Sequence, residues 1–155
     1  MKVFIENEAW SSNKNIYDEK ILEYKKTVKV SREYPYPYGF FLDTTSEDWD
    51  NVDCFVITNQ RLKSGDIVEC EVVALMEQRE TSWDPIKSHI EEEDHNVLAV
   101  LKTEHIVVDE TIKKNLTDFI SHVFDHIPNK KVQVWAFLSK EAAIQYIQKS
   151  MDHVS

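Results

Sequence analysis

The chain is short of the residues that break or staple a fold. Among 155 residues it has two glycines and four prolines, too few for a flexible linker or a low-complexity tract. Its two cysteines, Cys54 and Cys70, form neither a CxxC pair nor a Cys/His ligand spacing. Each lies in an apolar or strand-like run and reads as a buried, reduced thiol, which fits a cytoplasmic setting. Cations are scarce too: 18 Lys and Arg stand against 28 Asp and Glu, a net charge of −10. That balance disfavours nucleic acid, whose binding rests on cationic contacts to phosphates, and equally an anionic membrane surface. No apolar run approaches membrane-spanning length. The opening Met1-Lys2-Val3-Phe4-Ile5-Glu6 is charged too early for a secretory leader. The histidines show no HExxH, and no serine has a Gly-x-Ser-x-Gly context.

What is present is an ordinary globular balance, 42% hydrophobic and 30% charged, enough for one domain over 1–155 with a real core. Val3 to Ile5 reads as an opening strand, Asn7 to Asn15 as a polar turn and Tyr17 to Glu23 as a charged connection. Thr27 to Val30 alternates as a strand. Pro35 and Pro37 force their predecessors into extended geometry, so Tyr34 to Phe41 is no helix. Strands follow at Asp53 to Thr58, Ile67 to Met76 and Val97 to Leu101, with Glu77 to Glu93 as an excursion loop. Asp109 or Glu110 caps a helix with Ile112, Leu116, Phe119, Ile120, Val123 and Phe124 on one stripe, ending near Ile127 before Pro128. Lys131 to Leu138 alternates as a strand, and Ser139 caps a last helix with Ala143, Ile144 and Ile147 inward. Strands first and helices last suggest a small barrel or strongly curled sheet.

One stretch carries chemistry. Asp48-Trp49-Asp50-Asn51-Val52-Asp53 places three carboxylates within six residues, on the lip of the apolar run Cys54-Phe55-Val56-Ile57. In extended chain Asp48 and Asp50 share a face, and a turn or bulge is needed for Asp53 to join them. Without cations the group would repel and could not stay fully ionised. A hard divalent cation such as Mg²⁺ removes that conflict. An EF-hand does not fit, because Asp53 stands where its glycine belongs. A solvated acidic turn is the plainer alternative.

The order Tyr34-Pro35-x-x-Tyr38-Gly39-Phe40, then Asp48-x-Asp50-x-x-Asp53 before an apolar strand, then Asp94 before another, resembles the family I soluble inorganic pyrophosphatases. The resemblance runs from about Val3 to Ile147. It implies an α+β, mainly β fold: an OB-like five-stranded β-barrel with two C-terminal flanking helices. The implied reaction is hydrolysis of pyrophosphate to two phosphates by a metal-bridged water, with Mg²⁺, or Mn²⁺ in its place, as cofactor. Asp48 and Asp53 would be metal ligands, joined by Glu80, Asp94 and Glu6, with Asp50 as the base for the water. Lys14, Arg32, Tyr34 and Tyr38 would hold the substrate, Tyr38 serving in catalysis as well. A cytoplasmic homo-oligomer, hexameric in bacterial relatives, is implied in the same way.

The chain departs from the family pattern where the substrate is gripped. Ile16 stands in place of the glutamate that follows the first lysine, and Asn96 in place of a second lysine. Ile127-Pro128 replaces a Tyr-Lys pair, and Trp49 replaces a glycine. Two alternatives therefore stand beside the enzyme: a pseudoenzyme that binds metal and phosphate without turnover, and an OB-like nucleic-acid-binding module, which the charge disfavours.

Overall fold

Residues two apart along five strands fall into one shared cluster, and that alternation decides the architecture. A computed structural model of the chain describes residues 1–45, 51–82, 90–93, 95–128 and 130–151, without the side chains of 80–82 and 90–93. The strands are β1 (Lys2–Asn7), β2 (Asn13–Asp18), β3 (Glu23–Lys29), β4 (Tyr38–Phe41), β5 (Asp53–Val56), β6 (Ile67–Ser82), β7 (Ile90–Glu93), β8 (Asn96–Leu101) and β9 (Lys131–Leu138). Helix α1 spans Glu110–His122 and α2 spans Lys140–Ser150. Five strands close a ring in the order β1-β4-β5-β8-β6, with β6 returning to β1. Only β5 and β8 run parallel in it. The OB-like five-stranded barrel with two flanking helices is thus the fold of this chain. Bulges in β1 after Ile5 and in β6 near Val73 and Glu77 supply the extra bend a small ring needs.

Every ring strand sends side chains into one interior cluster: Val3 and Ile5, Phe41, Cys54 and Val56, Val97 and Ala99, Cys70, Val72 and Leu75. Ala143 and Ile147 of α2 join it. The alternate residues face outward, where Phe55, Leu98, Val100, Ala74 and Met76 are covered by Leu116, Phe119, Ile120 and Val123 on the α1 side. Burying a phenylalanine as fully as Phe40, Phe41 and Phe55 are buried contributes about 1.5–3 kcal/mol each. Both helix starts are capped by acceptors: Asp109 Oδ1 takes the Ile112 N–H at 2.9 Å, and Ser139 Oγ takes that of Ala142 at 3.2 Å. No helix among the described residues is long and apolar enough to cross a membrane.

Several boundaries differ from the sequence expectations, each for a tertiary reason. The polar stretch from Asn13 to Asp18 is a strand, held by pairing with β3 and by the Tyr17 ring, set edge-on to Phe4 at 4.9 Å. The expected loop from Glu77 is strand as far as Ser82, because β9 pairs along it from Leu75 to Thr81 and β7 returns on it. The Arg79 guanidinium adds to that pairing by stacking on Trp135, 3.5 Å from the ring centre. Helix α1 stops at His122 rather than near Ile127, since the Ser31 N–H takes the Val123 carbonyl and Ser31 Oγ bonds His126. Ile144 is 37% exposed, so the inner side of α2 is formed by Ala143, Ile147 and Ser150, with Tyr146 packed against the core.

Gly39 is required by a close approach. A Cβ there would fall on the carbonyl oxygen of Phe4, and that backbone is fixed by the β1–β4 ladder. Gly39→Ala is expected to destabilise the fold by about 2–4 kcal/mol in urea titration. Gly65→Ala has free space but a φ of +97°, and should cost only about 1–2 kcal/mol.

The two thiols give a pH prediction. Both are free and buried. Burial pushes Cys70 up to about 12, the N-terminal ammonium opposing and Glu69 adding. Burial, then Cys70, Asp53 and Glu6, push Cys54 well up too. A thiol that ionises only in the unfolded chain favours unfolding as pH rises. The thiols therefore leave stability untouched below their ordinary value of 9.0 and lower it progressively as pH rises above that, Cys70 until about 12, by up to about 1.4 kcal/mol per thiol for each pH unit. Chemical denaturation as a function of pH checks this. In the folded protein neither thiol should react with an aromatic disulfide near pH ~8.

Candidate active site

The outward alternation that seats α1 also carries polar groups to one place. Glu6, Asp53, Asn96 and Gln78 occupy strand positions two removed from apolar inward or outward neighbours, and they line a cavity of about 290 Å³ with Tyr34, Tyr38 and Phe55. The cavity is bounded on the α1 side by Phe119, Ile120 and Val123. Tyr34 and Tyr38 pack ring to ring at 5.6 Å, and Tyr34 also meets Phe119 at 4.6 Å. Burial pushes the Tyr34 phenol far above its ordinary range, with the charges of Glu6 and Asp53 adding in the same direction.

The β2–β3 hairpin supplies the remaining charges. It is fastened to the end of β1 through Asn15: the Asn15 N–H donates to Asn7 Oδ1 at 2.6 Å and Asn15 Nδ2 donates to the Glu6 carbonyl at 2.9 Å. This brings Lys14 from β2 and Glu19 from the hairpin turn to the cavity wall. Carboxylate oxygens of Glu6, Glu19 and Asp53 lie within 4.8 Å of one another. Glu19 Oε1 also accepts the Asn51 N–H at 2.9 Å, while Lys20 Nζ donates to Asn51 Oδ1 at 2.9 Å and Thr45 Oγ1 at 3.1 Å. The hairpin tip therefore grips the chain just where it enters β5 and presents Asp53.

The donor set suits a hard divalent cation. Three carboxylates this close repel unless a positive charge joins them, and oxygen donors are what Mg²⁺ and Mn²⁺ take. Asn96 adds an independent sign. Its Nδ2 donates to Gln78 Oε1 at 2.9 Å, but its buried Oδ1 accepts no hydrogen bond from the described residues. An acceptor left so costs about 1–3 kcal/mol, and it borders the same cavity as the acids.

These features meet in a chain with clear relatives. A family model described as inorganic pyrophosphatase matches residues 3–155. The chain belongs to the inorganic pyrophosphatase family. The inorganic pyrophosphatase of Saccharolobus solfataricus is 29% identical over 98% of this chain and 90% of its own length. Solved inorganic pyrophosphatases from Coxiella burnetii and Thermus thermophilus each superpose with a TM-score of 0.80 at 25% identity. They cover 97% of this chain, and 92% and 88% of their own. Membership makes the chain an enzyme of the inorganic diphosphatase class, hydrolases of the phosphoanhydride bond.

Of the residues expected from sequence, Glu6, Lys14, Tyr34, Tyr38 and Asp53 come together around the cavity. Arg32 lies exposed in the turn before Tyr34 and is not on the cavity wall. Asp48, Asp50 and Asp94 lie outside the described residues, and Glu80 is placed by its backbone alone, paired with Val132 of β9. His95 accepts the Gln78 N–H through Nδ1 at 3.2 Å, outside the lining. Sequence reasoning missed Glu19, hidden in a stretch taken for a charged connection, and Lys130; only the hairpin and the turn after α1 bring them in.

Lys20 does not line the cavity, yet it holds Asn51. Lys20→Met is expected to lower stability by about 1–2 kcal/mol and to reduce Mg²⁺-dependent thermal stabilisation. Melting curves with and without Mg²⁺ check both.

Proposed function

We propose that this protein hydrolyses inorganic pyrophosphate to two phosphates and depends on Mg²⁺, with Mn²⁺ as a substitute. The observation that supports it best is the convergence of Glu6, Glu19 and Asp53 oxygens within 4.8 Å, beside Lys14 and Tyr38 in one cavity, in a chain of this family. In this reading Glu6, Asp53 and Glu19 are metal ligands, joined by Asp48, Asp94 and Glu80 from the sequence pattern. Bound divalent cations would neutralise phosphate charge and make water a competent nucleophile near neutral pH.

The chain's own residues then divide the remaining work. Asp50 takes the proton of the attacking water as its oxygen bonds to phosphorus. The bond from that phosphorus to the bridging oxygen breaks, and the electron pair leaves with the second phosphate. Lys14 and the Tyr38 hydroxyl hold phosphate oxygens in line, which is most of what phosphoryl transfer asks of a protein. Tyr34, kept neutral by burial and by the neighbouring acids, fixes the Tyr38 ring through their contact. The reading includes a cytoplasmic homo-oligomer, a hexamer by resemblance, which light scattering on the purified protein checks.

A phosphate-release assay with pyrophosphate and Mg²⁺ tests the reaction. Asp50→Asn should lower the rate by about 10²–10⁴-fold, the range for a lost general base. Release from the wild type no greater than that variant's background would overturn the reading. Binding is read separately. Mg²⁺ at about 100 times its Kd should stabilise the wild type by about 2.7 kcal/mol, and Asp53→Asn or Glu19→Gln should reduce that gain. An unchanged gain in both variants would remove those two residues from the ligand set.

A further inference from the structure

The cavity that gathers the carboxylates also gathers two ammonium groups, and only one of them is foreseen by the sequence pattern. Lys130 stands in the turn between α1 and β9, its backbone N–H directed to the Ile127 carbonyl at 3.4 Å. Its Nζ lies 3.9 Å from the centre of the Phe124 ring. Lys14 Nζ, arriving from β2, lies 5.3 Å from the same centre. All three residues line the cavity with Glu6 and Asp53. The two ammonium groups are thus separated by no more than the sum of those two distances, within the span of a diphosphate and its hydrogen bonds.

The arrangement is built rather than incidental. Phe124 is fixed where α1 is cut short: the Ile127 N–H donates to its carbonyl at 2.9 Å, and Ser31 captures the neighbouring Val123 carbonyl at 3.0 Å. An aromatic face attracts ammonium groups and holds long, otherwise mobile side chains in place. Two ammonium groups beside one ring offer the oxygens of a phosphate anion two points of attraction. Among the described residues that line the cavity, Lys14 and Lys130 are the basic ones; Asn96 offers an amide whose Nδ2 donates to Gln78.

We propose that Lys130 is a substrate-contacting residue, gripping phosphate oxygens jointly with Lys14 over the Phe124 ring. The identity of the anion rests on the pyrophosphatase reading; the grip itself rests on the cavity and its two cations. Imidodiphosphate, a diphosphate whose bridging oxygen is replaced by NH and which resists hydrolysis, is the probe.

Calorimetric binding of imidodiphosphate with Mg²⁺ and steady-state kinetics on pyrophosphate are measured for the wild type, Lys130→Met, Lys130→Arg and Lys131→Met. Losing a charge-assisted contact should weaken imidodiphosphate binding and raise KM by about tenfold or more in Lys130→Met. Lys130→Arg should recover most of the loss, and the neighbouring Lys131→Met should behave as wild type. Thermal unfolding of the Lys130 variants without ligand should match the wild type. Wild-type KM and affinity in Lys130→Met would overturn the grip and leave hydrolysis standing. Equal losses in Lys130→Met and Lys130→Arg, together with a lowered melting temperature, would overturn it in favour of packing against Phe124. Lys130-dependent binding in a wild type that releases no phosphate would uphold the grip and overturn the hydrolysis. A wild type that does not bind imidodiphosphate overturns the grip.

Discussion

Carboxylates of like charge held on one barrel face are the constraint around which this structure is arranged. Glu6, Glu19 and Asp53 bring their oxygens within 4.8 Å of one another, a separation that like charges do not keep without cations or deep hydrogen bonding. The molecule contributes both. Backbone N–H of Asn51 binds Glu19, and Lys14 and Lys130 border the same space. In the reading proposed here, such a site would gain free energy by taking up divalent cations and, through them, a polyanion. A chain with net charge −10 can handle phosphate groups only through such local reversal of its field.

The barrel makes the gathering possible through the two-residue period of its strands. Val3 and Ile5 turn inward, so Glu6 turns outward; Cys54 and Val56 turn inward, so Asp53 and Phe55 turn outward. One alternation thus serves core and chemistry at once. A register slip of one residue in β5 would bury Asp53 and expose Cys54, losing both together. Gly39 protects that register, since the Phe4 carbonyl leaves no room for a side chain where β1 and β4 meet.

Much of this was legible in the sequence because periodic apolar runs report burial directly. The strands at Val97 and Lys131, the caps at Asp109 and Ser139, and the pairing of Tyr34-Pro35 with Tyr38-Gly39-Phe40 all follow from local pattern. The β2 strand did not, since Asn13-Lys14-Asn15-Ile16-Tyr17-Asp18 has no apolar face of its own and is held by its partner strand and by Phe4. The far half of β6 was hidden for the same reason: its support is β9, which arrives some fifty residues later in the chain. Glu19 and Lys130 reach the cavity through those long-range choices, so no spacing in the sequence marks them. Family resemblance could point to Lys14 and the Asp motif, but it could not point to groups the pattern does not contain.

The β2–β3 hairpin pairs with no strand of the barrel sheet, being tied on through Asn15 and by Tyr17 to Ser64. It lends the cavity two side chains of opposite sign, Lys14 and Glu19. Were that flap to swing away, the pocket would lose a carboxylate and an ammonium group in one motion. Such an opening would still have to break the ties at the hairpin's base and the Glu19 and Lys20 contacts at its tip, and would draw a segment of five lysines and three acids away from an acidic body, so that the door to the pocket is itself held shut by attraction.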